Sequence, residues 1–168
     1  AKIFLPKTYA RTIEAVLVNT AGGLTGGDEF GVRLRAEGDT HLTVSTQTAE
    51  RVYRALGPKN AEMRVNMTVT GAATLHWLPQ ETILFDHSRL ARRIEVDMDQ
   101  DSECLILESL VFGRHAMGET LTRCQFTDRW RIRRDGRLVH AEALRLDGDP
   151  GHCLAHVAGA NGAQMMAV

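Results

Sequence analysis

The chain has 168 residues, of which 43% are hydrophobic and 24% are charged, and its formal net charge is -1. These values are typical of a globular protein with one hydrophobic core, and they suggest neither a disordered chain nor a membrane protein. The near-neutral charge argues against a protein that grips nucleic-acid backbones, although it is compatible with a local charged patch.

The first distinctive segment along the chain is glycine-rich and runs from Asn19 to Asp28, NTAGGLTGGD. A phosphate-binding loop would need a lysine and a hydroxyl residue after Gly27, and the sequence has neither. The segment also resembles one calcium-binding glycine-aspartate repeat, but such sites are built from several adjacent repeats. Two interpretations remain open: a tight corner in which Asp28 forms the turn, and a functional role for Asp28.

A strand-turn-strand unit then recurs along the chain in copies that align with one another without gaps. Apolar residues alternate with polar ones in each copy, which indicates strands with one buried face. The copies run over residues 32–46, 65–79 and 94–108, with a looser fourth copy over 130–142 that contains the hairpin signal Asp135-Gly136.

Each unit must bury its apolar face against something else, and the neighbouring units are the natural partners. We therefore predict one mainly β domain over residues 1–168, a stack of strands resembling a β-helix or β-solenoid. A β-sandwich of hairpins would give similar alternation and remains the alternative. Few short helices are expected, the best being 152–158 after Pro150.

If the four units stack in register, the residues that close their second strands fall on one edge, namely Thr46, Pro79, Glu108 and Glu142. Glu50 and Glu81 follow close behind, so the edge concentrates oxygen ligands of the kind that contact divalent cations transiently. A solvated polar edge is the simpler interpretation. Glu108 lies within an apolar run, where a carboxylate needs a partner. Arg114 is the expected one.

No catalytic or tight metal-binding motif is visible, so the residues do not support an enzyme, and a hydrolase with a dispersed site stays open as an alternative. The histidines lack H-x-H or H-E-x-x-H spacing, and only His152 and His156 could share a helical face. The three cysteines are widely spaced, and no stretch approaches the roughly 20 apolar residues of a membrane span. The first eleven residues also lack the apolar core of a signal peptide. We expect a cytoplasmic protein with no membrane or nucleic-acid partner.

Four blocks occur in an order that resembles one known family: NTAGGLTGGD, QTAERVYRAL, LPQETILFD and ESLVFGRHAMGE. The chain is similar to the urease accessory protein D family, called H in some organisms, over roughly residues 1–150. Members normally begin earlier and run further, so the chain is expected to be truncated at both ends relative to the family.

The resemblance implies a mostly β stack that acts as a nickel-insertion chaperone. Its expected partners are the F-type accessory protein, the G-type GTPase and apo-urease. The family's proposed acidic route for nickel, a water-filled internal passage, maps here onto Asp28, Glu50, Glu108 and Glu142. No tightly bound cofactor is implied, and nickel would be transient cargo. The alternative is a structural docking module through which no metal passes.

Overall fold

The chain is built almost entirely from strands, and the computed structural model describes them over residues 1–7, 9 and 11–168. Within those residues the strands are, in chain order, β1 Lys2–Phe4, β2 Thr12–Val18, β3 Glu29–Ala36, β4 His41–Thr46, β5 Glu50–Val52, β6 Ala61–Val69, β7 Thr74–Trp77, β8 Thr82–Leu84, β9 Arg89–Met98, β10 Glu103–Ile106, β11 Ser109–Phe112, β12 Cys124–Arg134, β13 Arg137–Gly148 and β14 Met165–Ala167. The helical elements there are a 3₁₀ turn, His115–Met117, and α1, Pro150–Ala155.

Successive strands pass from sheet to sheet, so that the chain winds as a solenoid of about four turns. The first sheet has the strand order β1-β2-β4-β7-β10, the second β14-β11-β8-β5, and the third β13-β12-β9-β6-β3. The pairs between turns are parallel, as between β6 and β9. This confirms the mainly β prediction and decides for a solenoid over a sandwich.

Each of the first three repeated units holds the third-sheet strand and the first-sheet strand of one solenoid turn, and the second-sheet strands β5, β8 and β11, which the repeat did not predict, follow the units. In the third sheet Val32 lies beside Val65, Val65 beside Ile94, and Ile94 beside Trp130. In the first sheet the same frame brings together Leu42, Leu75 and Cys104. The gapless alignment of the first three copies therefore predicted the strand register correctly.

The core fills the space between the three sheets with the inward residues of each strand. Val65, Leu75, Trp77 and Ile94 are completely buried. Full burial of an aliphatic side chain contributes about 1.5–3 kcal/mol, and a one-residue slip of register would expose the whole row. Burial of the apolar residues that alternate along each strand is thus the main contribution that fixes how the strands stack.

The turns between the third and first sheets also stack. Gly38 and Gly71 both adopt the left-handed conformation, with φ of 69° and 71°. A Cβ on Gly71 would lie 3.0 Å from the Gly38 backbone. The amide of Gly71 donates to Asp99 Oδ2 at 2.6 Å, which ties this turn to the turn above it.

The fourth unit departs from the predicted pattern. Its first strand, β12, pairs parallel with β9, but Asp135 and Gly136 both have positive φ and turn the chain straight back. A two-residue turn of this kind joins antiparallel strands, so β13 pairs with β12 and never enters the first sheet. The placement of Glu142 on the stacked edge is therefore wrong.

The predicted helix forms, but it is shorter and begins earlier. Asp149 caps it, accepting hydrogen bonds from the amides of Gly151 and His152 at 2.8 and 3.4 Å. Because α1 ends at Ala155, His156 lies outside it in an extended conformation and does not share a helical face with His152. No helix within residues 1–7, 9 and 11–168 is both long and apolar enough to cross a membrane.

Candidate functional site at a buried arginine cluster

The corner that follows the first sheet brings three of the four predicted edge residues into equivalent positions. The amide of Leu78 donates to Val44 O at 2.8 Å, and that of Leu107 donates to Trp77 O at 3.0 Å. Thr46, Pro79 and Glu108 therefore succeed one another in neighbouring turns. The strand-end role predicted for Pro79 is confirmed, since β7 ends at Trp77.

The side chain of Glu108 turns inward from this corner and is 1% exposed. Its Oε1 accepts a hydrogen bond from Trp77 Nε1 at 2.8 Å, and its Oε2 accepts one from Arg92 Nη1. The expected partner, Arg114, is wrong, because Arg114 pairs with Glu119 instead. The need for a partner was predicted correctly, but its identity was not.

Arg92 is the centre of the cluster and joins Glu108 to a second buried carboxylate. Arg92 and Asp128 are register neighbours on β9 and β12, and Arg92 Nη2 lies 2.6 Å from Asp128 Oδ2. Trp130 Nε1 donates to the same oxygen at 3.0 Å. The guanidinium also lies 5.6 Å from the centroid of the Phe126 ring, within cation–π range.

The charges of the cluster depend on one another. Burial raises the pKa of Glu108, while the charge of Arg92 and the hydrogen bond from Trp77 oppose that rise. Burial alone would lower the pKa of Arg92, but the charge of Glu108 and the hydrogen bond to Asp128 raise it above its ordinary value. Arg92 thus stays positive and holds both acids in place.

The cluster is built to be closed. Both carboxylates accept hydrogen bonds from an indole and from the same guanidinium, which engage both oxygens of Glu108 and the Oδ2 of Asp128. Within the described residues, Arg92 Nε and Asp128 Oδ1 are buried without a hydrogen-bond partner. A positively charged neighbour disfavours approach of a cation to Glu108. As arranged, Arg92, Glu108 and Asp128 form a structural ion cluster in the solenoid core.

Glu50 offers a different environment, at the start of β5. Asn19 Nδ2 donates to both of its carboxylate oxygens, at 3.0 and 3.2 Å. Burial raises the pKa of Glu50, against the hydrogen bond from Asn19. A small cavity of about 40 Å³ adjoins it. A half-buried carboxylate held by a neutral amide has acceptor capacity left for another ligand.

The two remaining predicted site residues lie elsewhere on the surface. Asp28 is exposed, and its Oδ2 accepts from the Thr25 amide at 2.8 Å, which confirms the turn-forming role. Glu142 is partly exposed on β13, with its Oε2 3.7 Å from His140 Nε2. The structure therefore does not gather the four predicted acids into one site.

A second group of interlocked polar residues surrounds the loop after β11. Arg114 donates from Nε and Nη2 to the two carboxylate oxygens of Glu119, at 3.1 and 3.0 Å. Its guanidinium lies 4.3 Å from the centroid of the Phe85 ring. Asp86 Oδ1 accepts from the amides of Thr122 and Arg123, at 2.8 and 3.1 Å. These contacts fix the loop that leads into β12.

The Glu119 contact predicts a measurable pH dependence. Hydrogen bonds from Arg114 lower the pKa of Glu119 from its ordinary value of 4.5. Its contribution to stability is therefore present above that value and is lost as pH falls through the lowered pKa. We expect Glu119→Gln to reduce the loss of thermal stability between about pH 5 and pH 3, followed by circular dichroism.

The matched control is Glu103→Gln, because Glu103 is an exposed glutamate at the start of β10. It should keep the pH dependence of the unsubstituted protein. A Glu119→Gln profile parallel to that of the unsubstituted protein would contradict the prediction.

Arg92 and Asp128 were not singled out in the sequence, although a signal for both was present. Each occupies an inward position in an otherwise apolar alternation, Arg92 between Leu90 and Ile94, and Asp128 between Phe126 and Trp130. A charged residue in the buried phase of a strand is rare without a partner. Two such residues of opposite sign in neighbouring units indicate a buried ion pair.

Metal-binding capacity elsewhere is limited. Among the residues that the structure describes, no group of three or more His, Cys, Asp or Glu residues could hold a metal ion. Burial raises the pKa of Cys104 to about 11 and that of Cys124 to about 12, so both remain thiols at neutral pH.

Comparison with known proteins identifies the family. A family model described as UreD urease accessory protein matches residues 1–168. The chain belongs to the UreD urease accessory protein family. The urease accessory protein UreD of Rhodopseudomonas palustris strain BisB18 is 49% identical to this UreD-family chain over 162 residues, which is 96% of the chain and 58% of the relative.

Two further UreD relatives are similarly close. Urease accessory protein UreD 3 of Bradyrhizobium sp. is 52% identical, again over 96% of the chain and 58% of the relative. UreD of Rhizobium leguminosarum bv. viciae is 52% identical over 87% of the chain and 53% of the relative. The chain spans about half the length of the curated relatives it matches.

Proposed function

We propose that this UreD-family chain acts in urease maturation as a non-enzymatic scaffold in the cytoplasm. The observation that carries the proposal is the family match over residues 1–168. The scaffold role is supported by the stack of strands, whose inward residues form one continuous hydrophobic core. Its proposed partners are the F-type accessory protein, the G-type GTPase and apo-urease, and the GTP chemistry would belong to the G-type partner.

A narrower proposal is that nickel passes along this scaffold as weakly held cargo. A carrier site must release its ion, so isolated carboxylates suit it better than a cage of cysteines and histidines. Of the four acids proposed for the route, Glu50 has a neutral amide as its side-chain hydrogen-bond partner and a cavity beside it, and the charge of Arg51 also acts on its carboxylate. Asp28, Glu108 and Glu142 complete the proposed set.

The second candidate function is a docking module through which no metal passes. It is favoured by the neutralisation of Glu108 by Arg92 and by the separation of Asp28 and Glu142 on the surface. Exposed apolar residues on β13, Leu138 and Val139, offer contacts for a partner. The geometry therefore supports the scaffold more strongly than the route.

Coexpression with urease and the other accessory proteins separates the two functions. The full-length protein would carry Glu50→Gln or, as the matched control, Glu103→Gln, and purified urease would be assayed for bound nickel. The route predicts a lower nickel content with Glu50→Gln at an unchanged yield of the accessory complex. Normal nickel content with Glu50→Gln would refute passage by Glu50, and failure of the unsubstituted protein to raise nickel content would refute the scaffold role.

A further inference from the structure

The outer face of the third sheet carries a row of like charges across three neighbouring strands. Arg64 on β6 lies beside Arg93 on β9, and Arg93 lies beside Arg129 on β12. We name this row, Arg64, Arg93 and Arg129, the arginine ladder. Neighbouring strands are about 4.8 Å apart, and like charges directly opposite each other destabilise a sheet. The fold therefore tolerates an unfavourable arrangement here.

The repulsion is relieved at one end of the ladder only. Arg64 forms ion pairs with Glu62 and with Glu29, the latter at 3.7 Å. Arg93 and Arg129 are exposed, and in the part of the chain that the structure describes neither has a side-chain hydrogen bond or an ion pair. Two adjacent guanidinium groups are thus free to bind an external anion.

The shape of the surface beside the ladder also suits an anion. The next row across the same strands carries the short side chains of Ala91 and Thr127. Together with the ladder and with Glu62, which pairs with Arg64, they line a depression of about 330 Å³. A carboxylate that enters it reaches the two free guanidinium groups from the side.

We propose that the arginine ladder is a docking surface for an acidic segment of a partner protein. Carboxylates of the partner enter the depression and accept hydrogen bonds from Arg93 and Arg129. The planar fork of arginine matches a carboxylate with two parallel hydrogen bonds. No lysine in the described part of the chain contributes to this surface, because Lys2, Lys7 and Lys59 all lie outside the strands of this sheet.

Flanking acids favour a protein partner over a nucleic acid. Glu62 lies in the row on one side of the ladder, and Glu95 lies beside Arg131 in the row on the other side. A continuous phosphate backbone that crossed the sheet would meet both carboxylates, whereas a short acidic segment can lie on Arg93 and Arg129, on β9 and β12, while Glu62 lies on β6. This inference is independent of the proposed role in urease maturation.

The test measures binding of a fluorescently labelled octaglutamate peptide to the chain at low salt by anisotropy. We expect Arg93→Gln with Arg129→Gln to weaken binding roughly tenfold. The matched control, Arg11→Gln with Lys59→Gln, removes the same charge outside this sheet and should change the dissociation constant by less than about twofold. Arg93→Lys with Arg129→Lys should give an intermediate loss, because charge remains while the fork is lost.

Three results would overturn the proposal. They are no binding of octaglutamate to the unsubstituted chain, an equal loss in the ladder and control variants, and tighter binding of labelled octathymidylate than of octaglutamate. Unfolding is measured alongside, and the melting temperature of the glutamine ladder variant should equal or exceed that of the unsubstituted chain, since a repulsion is removed. If binding is lost while the melting temperature is unchanged or higher, the substitutions have removed the binding site without unfolding the protein.

Discussion

Replacement of Arg92 by methionine should destabilise the chain by about 3–5 kcal/mol, because it leaves two buried carboxylates without their cation. Glu108 and the guanidinium of Arg92 are each 1% exposed, so solvent cannot replace the lost contacts. Methionine keeps much of the volume of arginine, which separates the loss of charge from the loss of packing. Urea unfolding, followed by tryptophan fluorescence and circular dichroism, gives the change in free energy.

The neighbouring residue provides the control for this substitution. Arg93 lies one position along β9 but points outward and is exposed, so Arg93→Met should change stability by no more than about 0.5 kcal/mol. Adding Glu108→Gln and Asp128→Asn to Arg92→Met removes the two buried carboxylates that have lost their cation, and it should recover part of the lost stability. A destabilisation of Arg92→Met no larger than that of Arg93→Met would contradict the structural role of the cluster.

The loss of stability caused by Arg92→Met should depend on pH, and the pKa of Glu108 gives the direction. Burial already raises the pKa of Glu108 above 4.5, and loss of Arg92 removes the charge that opposes this rise. A group with a raised folded-state pKa stabilises fully below its unfolded pKa and loses that contribution as pH rises through the folded value. The deficit of Arg92→Met should therefore shrink as pH falls from 7 toward about 4.5.

Substitution of Gly23 by alanine should destabilise the chain by about 2–4 kcal/mol, through a steric clash and backbone strain together. Gly23 has φ of 154°, and a Cβ there would lie 2.3 Å from Tyr53 Cε2 and 2.7 Å from Arg51 O. Neither neighbour moves freely, since Arg51 O accepts the Leu24 amide at 2.8 Å and Tyr53 Oη donates to Gly22 O at 3.1 Å. Thermal and urea unfolding measure the effect.

Gly31 serves as the matched glycine, since a Cβ there meets nothing within 4 Å and its φ lies outside the left-handed region. Gly31→Ala should be neutral or slightly stabilising, because alanine has less conformational freedom to lose on folding. Equal effects of the two substitutions would show that the corner does not depend on close approach at Gly23. Pull-down of the F-type accessory protein, the proposed partner, by Gly23→Ala would further report whether docking depends on this corner.

The glycine-rich segment shows which features a local sequence pattern can predict and which it cannot. Its composition predicted a tight corner, and the turn-forming role of Asp28 follows from the Thr25 contact. Sequence did not reveal that Leu24 forms a parallel bridge with Val52, so that the corner takes the place of a second-sheet strand in the first turn. That pairing joins residues far apart in the chain, which no local pattern specifies.

In the fourth unit, the local hairpin turn outweighs the repeat pattern. Asp135-Gly136 was identified as a hairpin turn, yet the stacked-edge prediction carried the strand after it into the first sheet. A turn of two residues with positive φ permits only an antiparallel return, and this local geometry overrode the repeat. Glu142 consequently lies opposite Trp130 in the third sheet.

The sequence by itself determined the first-sheet and third-sheet strands of the first three units, their inward faces and their register, because apolar alternation with a period of two fixes which side of each strand is buried. It also showed that Glu108 needed a partner. Only the tertiary structure decided that the partner is Arg92, that Asp128 shares it, and that Glu142 lies opposite Trp130 and not on the stacked edge. Which residue pairs with Glu108 depends on which strands become neighbours. Ion pairs form between charges that are close in space, and these can be far apart in the chain.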